Sequence, residues 1–211
     1  MKILMIGPQG SGKGTIGKMI GEFLGIPVVA TGTGGLLSNI PKEHPWYNKV
    51  HEQISQGVLV DQFMVGSLLK DELSKEKYSG GYVLDGWYRS MKDVEAFKAP
   101  IDIAFLLNIS KETTLKRLGS RRVCSKCKAV YNLDIDCMRP KVEGICDKCG
   151  GELIRREDDY EEAILKRLEV YNTETKEVID YLRDKGILYE IDAEGSPEEV
   201  FEKIKLCLSG L

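Results

Sequence analysis

Residues 3–15 read ILMIGPQGSGKGT, a short apolar run that leads directly into a loop with four glycines and a lysine. A continuous apolar run of this length is typical of a strand buried on both faces of a parallel sheet. Apolar residues then recur at helical spacing, at Ile16, Met19, Ile20 and Phe23. The segment therefore predicts strand, glycine loop and helix, which is the setting that a phosphate-binding loop requires.

Within this loop, Gly7, Gly12 and Lys13 stand at the Walker spacing, although Gly14 separates the lysine from Thr15. Glycines let the backbone curl so that several N–H groups point inward. The helix N-terminus adds the positive end of its dipole, and the lysine adds a mobile charge. The sequence therefore predicts phosphate binding; the alternative is a tight turn with a solvated lysine.

Further strand patterns occur at residues 81–86, 101–109 and 186–192, with helical patterns between them. Helix starts are predicted at three capping residues, Asp61, Ser110 and Ser196. A long helix is predicted from about residue 159 to 183. Strands that alternate with helices predict a doubly wound parallel α/β sheet, which binds ligands at the carboxyl ends of its strands.

The composition limits the function classes. The chain has 211 residues, 30% of them charged, with a formal net charge of −3, which argues against a whole-surface nucleic-acid or membrane binder. Charged residues or glycines interrupt every apolar run, and the N-terminus lacks a signal-peptide pattern, so we expect a cytoplasmic protein. In that reducing compartment the six cysteines are better interpreted as metal ligands or core residues than as disulfides.

Four of the cysteines form two C-x2-C pairs, Cys124 with Cys127 and Cys146 with Cys149, separated by eighteen residues. This spacing is typical of a zinc site in which each pair presents two thiolates to one tetrahedral ion. Because four thiolates fill the coordination sphere, the predicted zinc is structural and not catalytic. Free thiols and two disulfides are the alternatives, and the sequence does not separate zinc from iron.

The arginines are unevenly distributed, since none precedes Arg89. Arg117 and Arg121 are four residues apart on one predicted helix, just before the cysteine segment, and Arg156 and Arg167 follow it. Guanidinium groups suit phosphate oxygens, and several around one phosphoryl group would stabilise its charge during transfer. The alternative is a solvated helix face paired with neighbouring carboxylates.

Taken together, these motifs resemble the adenylate kinases that carry a long, zinc-binding lid. GPQGSGKGT (7–15) is similar to that family's phosphate loop, and DGWYRS (85–90) is similar to its DGFPRT motif. Residues 117–132 resemble the lid entry, and residues 155–171 resemble the lid exit. The resemblance covers essentially the whole chain.

The resemblance implies a P-loop three-layer α/β fold with a central parallel five-stranded sheet, a small helical NMP-binding insertion and a zinc-ribbon-like lid. The implied domains are a core at 1–29, 61–121 and 158–211, an insertion at 30–60 and a lid at 122–157. The implied reaction is MgATP + AMP ⇌ 2 ADP, with Mg²⁺ accompanying ATP. We expect a monomer that binds nucleotides, without stable nucleic-acid or membrane partners.

The resemblance also implies roles for individual residues. The donor phosphates would be held by Gly10, Ser11, Gly12, Lys13, Gly14 and Thr15. The arginines that close over the phosphates would be Arg121, Arg156 and Arg167, with Arg117 against the donor adenine and with Asp158 and Asp159 assisting closure. Asp85 would orient the waters of the magnesium ion, and Arg89 would grip the acceptor phosphate. The remaining acceptor-side candidates are Thr31, Gly86 and Asp93.

The acceptor side departs from the family pattern. ATGTGGLLSN (30–39) stands where the family has TGD-x-L-R, and both the aspartate and the arginine are absent, whether Thr31-Gly32 or Thr33-Gly34 is matched to the motif. Tyr88 replaces a proline, and Asp93 replaces the glutamine that reads adenine. These changes raise the hypothesis of weakened or altered acceptor recognition; the alternative, which we favour, is that AMP still binds through Arg89, backbone groups and a lysine.

Three other functions remain compatible with the residues alone. The chain could be a kinase for a different nucleoside monophosphate. It could be a P-loop ATP-binding protein whose locally basic zinc module contacts nucleic acid, or a scaffold that binds ATP without transferring phosphate. Activity with each monophosphate, measured as ADP production, would separate these possibilities.

Overall fold

The computed structural model describes residues 1–31, 35–55 and 60–210. The strands are β1 (Lys2–Ile6), β2 (Val28–Ala30), β3 (Tyr82–Asp85), β4 (Ile103–Asn108), β5 (Arg121–Cys124), β6 (Val130–Asn132), β7 (Leu153–Ile154) and β8 (Leu188–Asp192). The α-helices are α1 (Lys13–Leu24), α2 (Tyr47–Ser55), α3 (Gln62–Leu73), α4 (Met91–Ala96), α5 (Lys111–Gly119), α6 (Glu161–Val170), α7 (Lys176–Asp184) and α8 (Pro197–Ser209). Short 3₁₀ turns lie at Leu36–Ser38, Glu76–Tyr78, Asp136–Met138 and Glu157–Asp159.

A five-stranded sheet with the order β2-β3-β1-β4-β8 forms the centre of the fold, and all of its neighbouring pairs are parallel. This confirms the predicted central sheet. Because the strands run in the same direction, the glycine loop after β1, Asp85 at the end of β3 and the residues after β4 meet at one edge.

The central strands are buried on both faces, which explains their continuous apolar sequence. Alternate residues of β1 enter different cores: Ile3 packs with Ile20 of α1, and Leu4 packs in the cluster that contains Val178 of α7. Both β1 residues are fully buried. Helices therefore cover the sheet on two sides, as predicted for a three-layer fold.

The predicted helix starts are confirmed. The Asp61 carboxylate accepts from the backbone N–H groups of Phe63 and Met64 at the start of α3. Ser110 caps α5, and Ser196 forms a capping box with Glu199 at the start of α8. These side chains satisfy N–H groups that the first helical turn leaves unpaired.

The predicted long helix is present but internally interrupted. It begins at Glu161 and ends at Asp184, with a π-helical turn at Tyr171–Thr175 between α6 and α7. A π turn holds one more residue than an α turn, so it changes which residues face the core after it.

The cysteine segment forms a small antiparallel sheet of its own, with the order β6-β5-β7. Its core contains Cys124, Tyr131, Cys146 and Leu153. The side chain of Val142, in the same segment, is 57% exposed, and β7 supplies the third strand of the sheet. The sheet lies almost wholly inside the predicted lid at 122–157, while the domain boundaries stay a prediction.

Candidate active site

The glycine loop lies between β1 and α1 and folds tightly against β4. A Cβ on Gly7 would lie 2.6 Å from the Leu107 carbonyl oxygen, so this position accepts only glycine. Gly12 has a left-handed backbone (φ 90°) directly before the helix, and Ser11 beside it is 2% exposed. The loop thereby reaches the N-terminus of α1, where the positive end of the helix dipole favours an anion.

Lys13 extends back over this loop. Its Nζ donates to the carbonyl oxygens of Gly7 at 2.7 Å and Pro8 at 2.8 Å. Its ammonium group is therefore held over the concave side of the loop, where the resemblance predicts the donor phosphates.

Most of the charged residues predicted for the site lie close enough to Lys13 to affect its pKa. Burial lowers the pKa of Lys13 to about 8. Asp85 opposes this shift, whereas the positive charges of Arg89, Arg167 and Arg121 lower the pKa further. Four cations and one carboxylate from distant parts of the sequence thus share one region, which is an arrangement suited to a polyanion.

Asp85 ends β3 next to the start of α1. Burial raises the pKa of Asp85, and the charges of Lys13, Arg89 and Lys18 act in the opposite direction. A Cβ on Gly14 would lie 3.3 Å from the Asp85 Oδ2 atom. This contact gives a physical reason for the glycine between Lys13 and Thr15, because a side chain there would push against the carboxylate.

Two adjacent aspartates hold the three arginines around the lid. Arg121 donates from Nε and Nη2 to both carboxylate oxygens of Asp159, at 2.7 and 2.5 Å. Arg156 pairs in the same two-bond manner with Asp158, at 2.8 Å for each bond. Arg167 donates to the carbonyl oxygen of Asp158 at 2.9 Å and lies 3.0 Å from its carboxylate.

This arrangement differs from a solvated helix face. Asp159 is fully buried, and the side chains of Arg121 and Arg167 are only 18% and 30% exposed. Burial lowers the pKa of Arg167, and its neighbours Arg121 and Arg156 act in the same direction. The arginines are therefore packed closely enough to repel one another, and an added anion would relieve that repulsion.

Arg117 has different partners, and the prediction that it shares a helix with Arg121 was wrong, because α5 ends at Gly119 and Arg121 begins β5. The Arg117 Nη2 atom donates to the carbonyl oxygens of Ala193, Glu194 and Gly195, each at 2.9 Å, and its Nη1 atom reaches Gly10 at 3.4 Å. It therefore ties the phosphate loop to the turn after β8. Its predicted contact with the donor adenine stays a prediction.

On the acceptor side, Thr31 and Gly86 are in direct contact. The Thr31 hydroxyl donates to the Gly86 carbonyl oxygen at 2.6 Å, and Gly86 has a positive φ of 84°. A Cβ on Gly86 would lie 3.1 Å from Arg89 Nη2, which places the Arg89 guanidinium beside both residues. Gly32 and the alternative match at Thr33-Gly34 lie outside the described residues.

Asp93 has a structural partner that the sequence did not predict. Its Oδ2 atom accepts from the backbone N–H of Arg89 at 2.7 Å and of Ser90 at 3.3 Å, and the residue is 5% exposed. With Ser90 it forms the capping box of α4. The predicted role of Asp93 in reading the acceptor base stays a prediction, but one of its oxygens is already bound to the backbone.

Thr175 is a site residue that the sequence analysis missed. Its hydroxyl donates to the Arg89 carbonyl oxygen at 2.7 Å, and the residue is 6% exposed. A single threonine within a helical pattern carries no local signal for such a contact. The π turn that directs it inward could not be recognised from the apolar spacing alone.

The four cysteines of the two C-x2-C pairs are gathered in the small sheet. Their sulfur atoms all lie within 4.8 Å of one another. The closest pairs are Cys124 with Cys149 at 3.4 Å and Cys127 with Cys146 at 3.5 Å. Cys137 lies apart from this group, exposed, with its sulfur 3.8 Å from Glu198. Zn–S bonds of about 2.3 Å in a tetrahedron place sulfurs about 3.8 Å apart, so the observed spacing fits.

Among the described residues, no helix is both long and apolar enough to cross a membrane. A sequence model of the adenylate kinase family matches residues 5–187. An adenylate kinase of Clostridium tetani is 36% identical over 218 aligned residues that cover 100% of both chains. One from Thermodesulfovibrio yellowstonii is 38% identical over 211 aligned residues, which cover 97% of both chains. One from Clostridium botulinum (strain Hall) is 37% identical and covers 97% of this chain and 96% of its own. On this evidence, and with the same motifs placed around one phosphate loop, the chain belongs to the adenylate kinase family.

Proposed function

We propose that the chain transfers the γ-phosphoryl group of MgATP to AMP at the region where Lys13, Asp85, Arg89, Arg121 and Arg167 meet. Phosphotransfer from ATP to AMP is the reaction of its family. The observation that carries the assignment is that three arginines from separate segments, Arg89, Arg121 and Arg167, act on Lys13, whose Nζ is held over the glycine loop. Phosphoryl transfer depends on such positioning and charge neutralisation more than on a strong base.

Each part of the region has a defined task in this mechanism. Lys13 and the backbone N–H groups of the glycine loop hold the donor phosphates. Arg121, Arg156 and Arg167 neutralise the charge that spreads over the transferring group, while Arg89 holds the acceptor phosphate in line with it. Closure of the lid over these groups excludes water, which would otherwise accept the phosphoryl group.

Magnesium would be held near Asp85. The Asp85 carboxylate lies at the carboxyl end of β3, close to the glycine loop. Burial raises the pKa of Asp85, so a nearby cation would favour the ionised form of this carboxylate. Mg²⁺ prefers oxygen ligands, keeps several waters and binds substrate phosphates, which suits one carboxylate at this position. When bound, the ion neutralises charge on the β- and γ-phosphates.

The cysteine group would hold one structural zinc ion. Four thiolates within 4.8 Å of one another complete a tetrahedral sphere without an open position. The small sheet around them has only four buried core residues, of which two are the ligands Cys124 and Cys146. The ion would therefore supply folding energy that so small a core lacks.

The oligomeric state and compartment are also part of the proposal. We expect a monomer, because the proposed residues of one chain form the whole phosphate region. Four free thiols this close together would be stable in a reducing compartment such as the cytoplasm. Size-exclusion chromatography with light scattering would test the monomer, since a dimer would elute with twice the mass of 23.6 kDa.

Acceptor choice is the decisive test of the function. We expect ADP production to be fastest with AMP and at least about 10-fold slower with CMP, UMP or GMP, since polar contacts to a base discriminate strongly. A coupled assay on protein of measured zinc content would provide the rates. A preference for another base would overturn the AMP assignment. ATP binding without transfer to any acceptor would indicate an inactive scaffold, and a gel shift without ADP production would indicate the nucleic-acid alternative.

Donor affinity should depend on pH through Lys13. Because its pKa is about 8 in the free protein, Lys13 loses its charge as the pH rises from 7 to 9.5. ATP prefers the charged form, so its dissociation constant should rise with pH, by up to about 10-fold per unit above the pKa. The terminal phosphate, with a second pKa of about 6, is essentially fully ionised above about pH 8 and does not contribute to the change there. Isothermal titration across this range measures the effect.

The matched control for this titration is Lys13→Arg, which keeps its charge throughout the range. Its dissociation constant, although higher, should stay constant between pH 7 and 9.5. Equal pH dependence in the wild type and this variant would assign the effect to another group.

A further inference from the structure

The backbone of Arg89 is held on both sides by side chains. Its N–H donates to the Asp93 carboxylate at 2.7 Å, and its carbonyl oxygen accepts from the Thr175 hydroxyl at 2.7 Å. Arg89 lies between β3, which ends at Asp85, and α4, which begins at Met91. Both of its main-chain polar groups are therefore satisfied by side chains from α4 and the π turn.

The residue before Arg89 adds a conformational constraint. Tyr88 has a positive φ of 59° although it is a bulky residue, and its side chain is 2% exposed. Its hydroxyl donates to the Ala99 carbonyl oxygen at 3.3 Å. A bulky side chain strains the backbone in this region, and such a conformation persists only where the surroundings fix it. The segment that presents Arg89 is thus fixed on its N-terminal side too.

Thr175 reaches Arg89 because of the irregularity in its helix. It is the last residue of the π turn between α6, which carries Arg167, and α7. π turns are rare and are often found at functional sites. The same interrupted helix therefore carries Arg167 and, about two turns later, the Thr175 side chain that holds the Arg89 backbone.

We propose that Thr175 and Asp93 are positioning residues that fix the backbone of Arg89 and thereby aim its guanidinium at the acceptor phosphate. This inference rests on the proposed role of Arg89. The guanidinium lies beside Gly86 and Thr31, on the acceptor side of the loop. A shift of about 1 Å in a positioning group can lower the rate about 100-fold, so small movements of the Arg89 backbone would lower the rate of phosphoryl transfer.

Thr175 offers a matched pair of variants. Thr175→Val keeps the shape but loses the hydroxyl, whereas Thr175→Ser keeps the hydroxyl. We expect Thr175→Val to lower kcat/KM for AMP by about 10-fold or more and to leave KM for ATP within about 2-fold of wild type. Thr175→Ser should retain wild-type AMP kinetics. A purely structural role would lower the melting temperature without this separation of AMP from ATP kinetics.

A double-mutant cycle with Arg89→Ala tests whether the effect passes through Arg89. In the Arg89→Ala background, Thr175→Val should have no further effect on AMP kinetics. Unchanged AMP kinetics in Thr175→Val, or effects that simply add, would overturn the inference while leaving the role of Arg89 intact. Unchanged AMP kinetics in Arg89→Ala would overturn both the role of Arg89 and the inference.

Asp93 provides an independent measurement should Thr175→Val fold poorly. Asp93→Ala removes the acceptor for the Arg89 N–H, whereas Asp93→Asn keeps an oxygen that can accept it. We expect the alanine variant to lose AMP kinetics as Thr175→Val does, and the asparagine variant to recover most of the loss. Equal losses in both variants would contradict positioning through this hydrogen bond.

Discussion

Replacing Arg167 by alanine is expected to lower kcat by about 10³-fold, because arginines that stabilise transferring phosphate contribute factors of this size. Arg167 is 30% exposed, contacts Asp158 twice and acts electrostatically on Lys13. Its loss would remove one positive charge from the group around Lys13, where we propose that the phosphoryl group is transferred. Steady-state kinetics with saturating ATP and AMP measure the effect.

Arg183 is the matched control, since it lies on α7, which continues the helix that carries Arg167, but on an exposed face. It pairs with Asp180 and Glu190 and is 51% exposed. Arg183→Ala should keep kcat within about 2-fold of wild type, as expected for a surface pair. Arg167→Lys should recover only part of the rate, because lysine lacks the planar fork. A wild-type kcat in Arg167→Ala would remove this residue from the mechanism.

The second large effect is expected at the cysteine group. Cys146→Ser should reduce bound zinc from about one ion per chain to nearly none and unfold the small sheet, since comparable metal sites contribute about 10–16 kcal/mol to folding in isolated peptides. Cys146 is 1% exposed and belongs to the core of that sheet. Metal analysis and hydrogen exchange across residues 121–154 measure both outcomes.

Cys137→Ser is the control for this experiment, because Cys137 is exposed and lies apart from the four clustered sulfurs. It should keep full zinc content and wild-type protection of the sheet. Retention of one zinc by Cys146→Ser, with an intact sheet, would show that the four cysteines are not the ligands. If Cys146→Ser loses its zinc and the small sheet unfolds, as we expect, the lid cannot close, and ATP hydrolysis rises relative to transfer to AMP.

The fold was largely predictable because its signals are local. The apolar run of β1 and the glycines after it identify a buried strand and a loop, and Asp61, Ser110 and Ser196 mark helix starts by a side-chain chemistry that acts within three residues. The π turn was not predictable, because Val178 and Leu182 beyond it are four residues apart, and this helical spacing looks the same in the sequence whether or not a residue is inserted before them.

The residues of the candidate site also differ in whether the sequence could predict them. Lys13, Arg121 and Arg167 could be chosen from motif and charge, and the structure brings them together. Thr175 could not, because its partner lies 86 residues away in the sequence. The backbone contact of Asp93 was not predictable from the resemblance, because the family's glutamine at this position reads the base, whereas the Asp93 carboxylate accepts from the Arg89 N–H.

The π turn at Tyr171–Thr175 also limits how this chain can change in length. Deleting one residue there would restore regular α-helical winding and rotate all that follows by about 100°. Thr175 would swing away from Arg89, and Val178 and Leu182 would leave the core together. Substitutions within Tyr171–Thr175 should therefore be tolerated far better than the deletion of a single residue there.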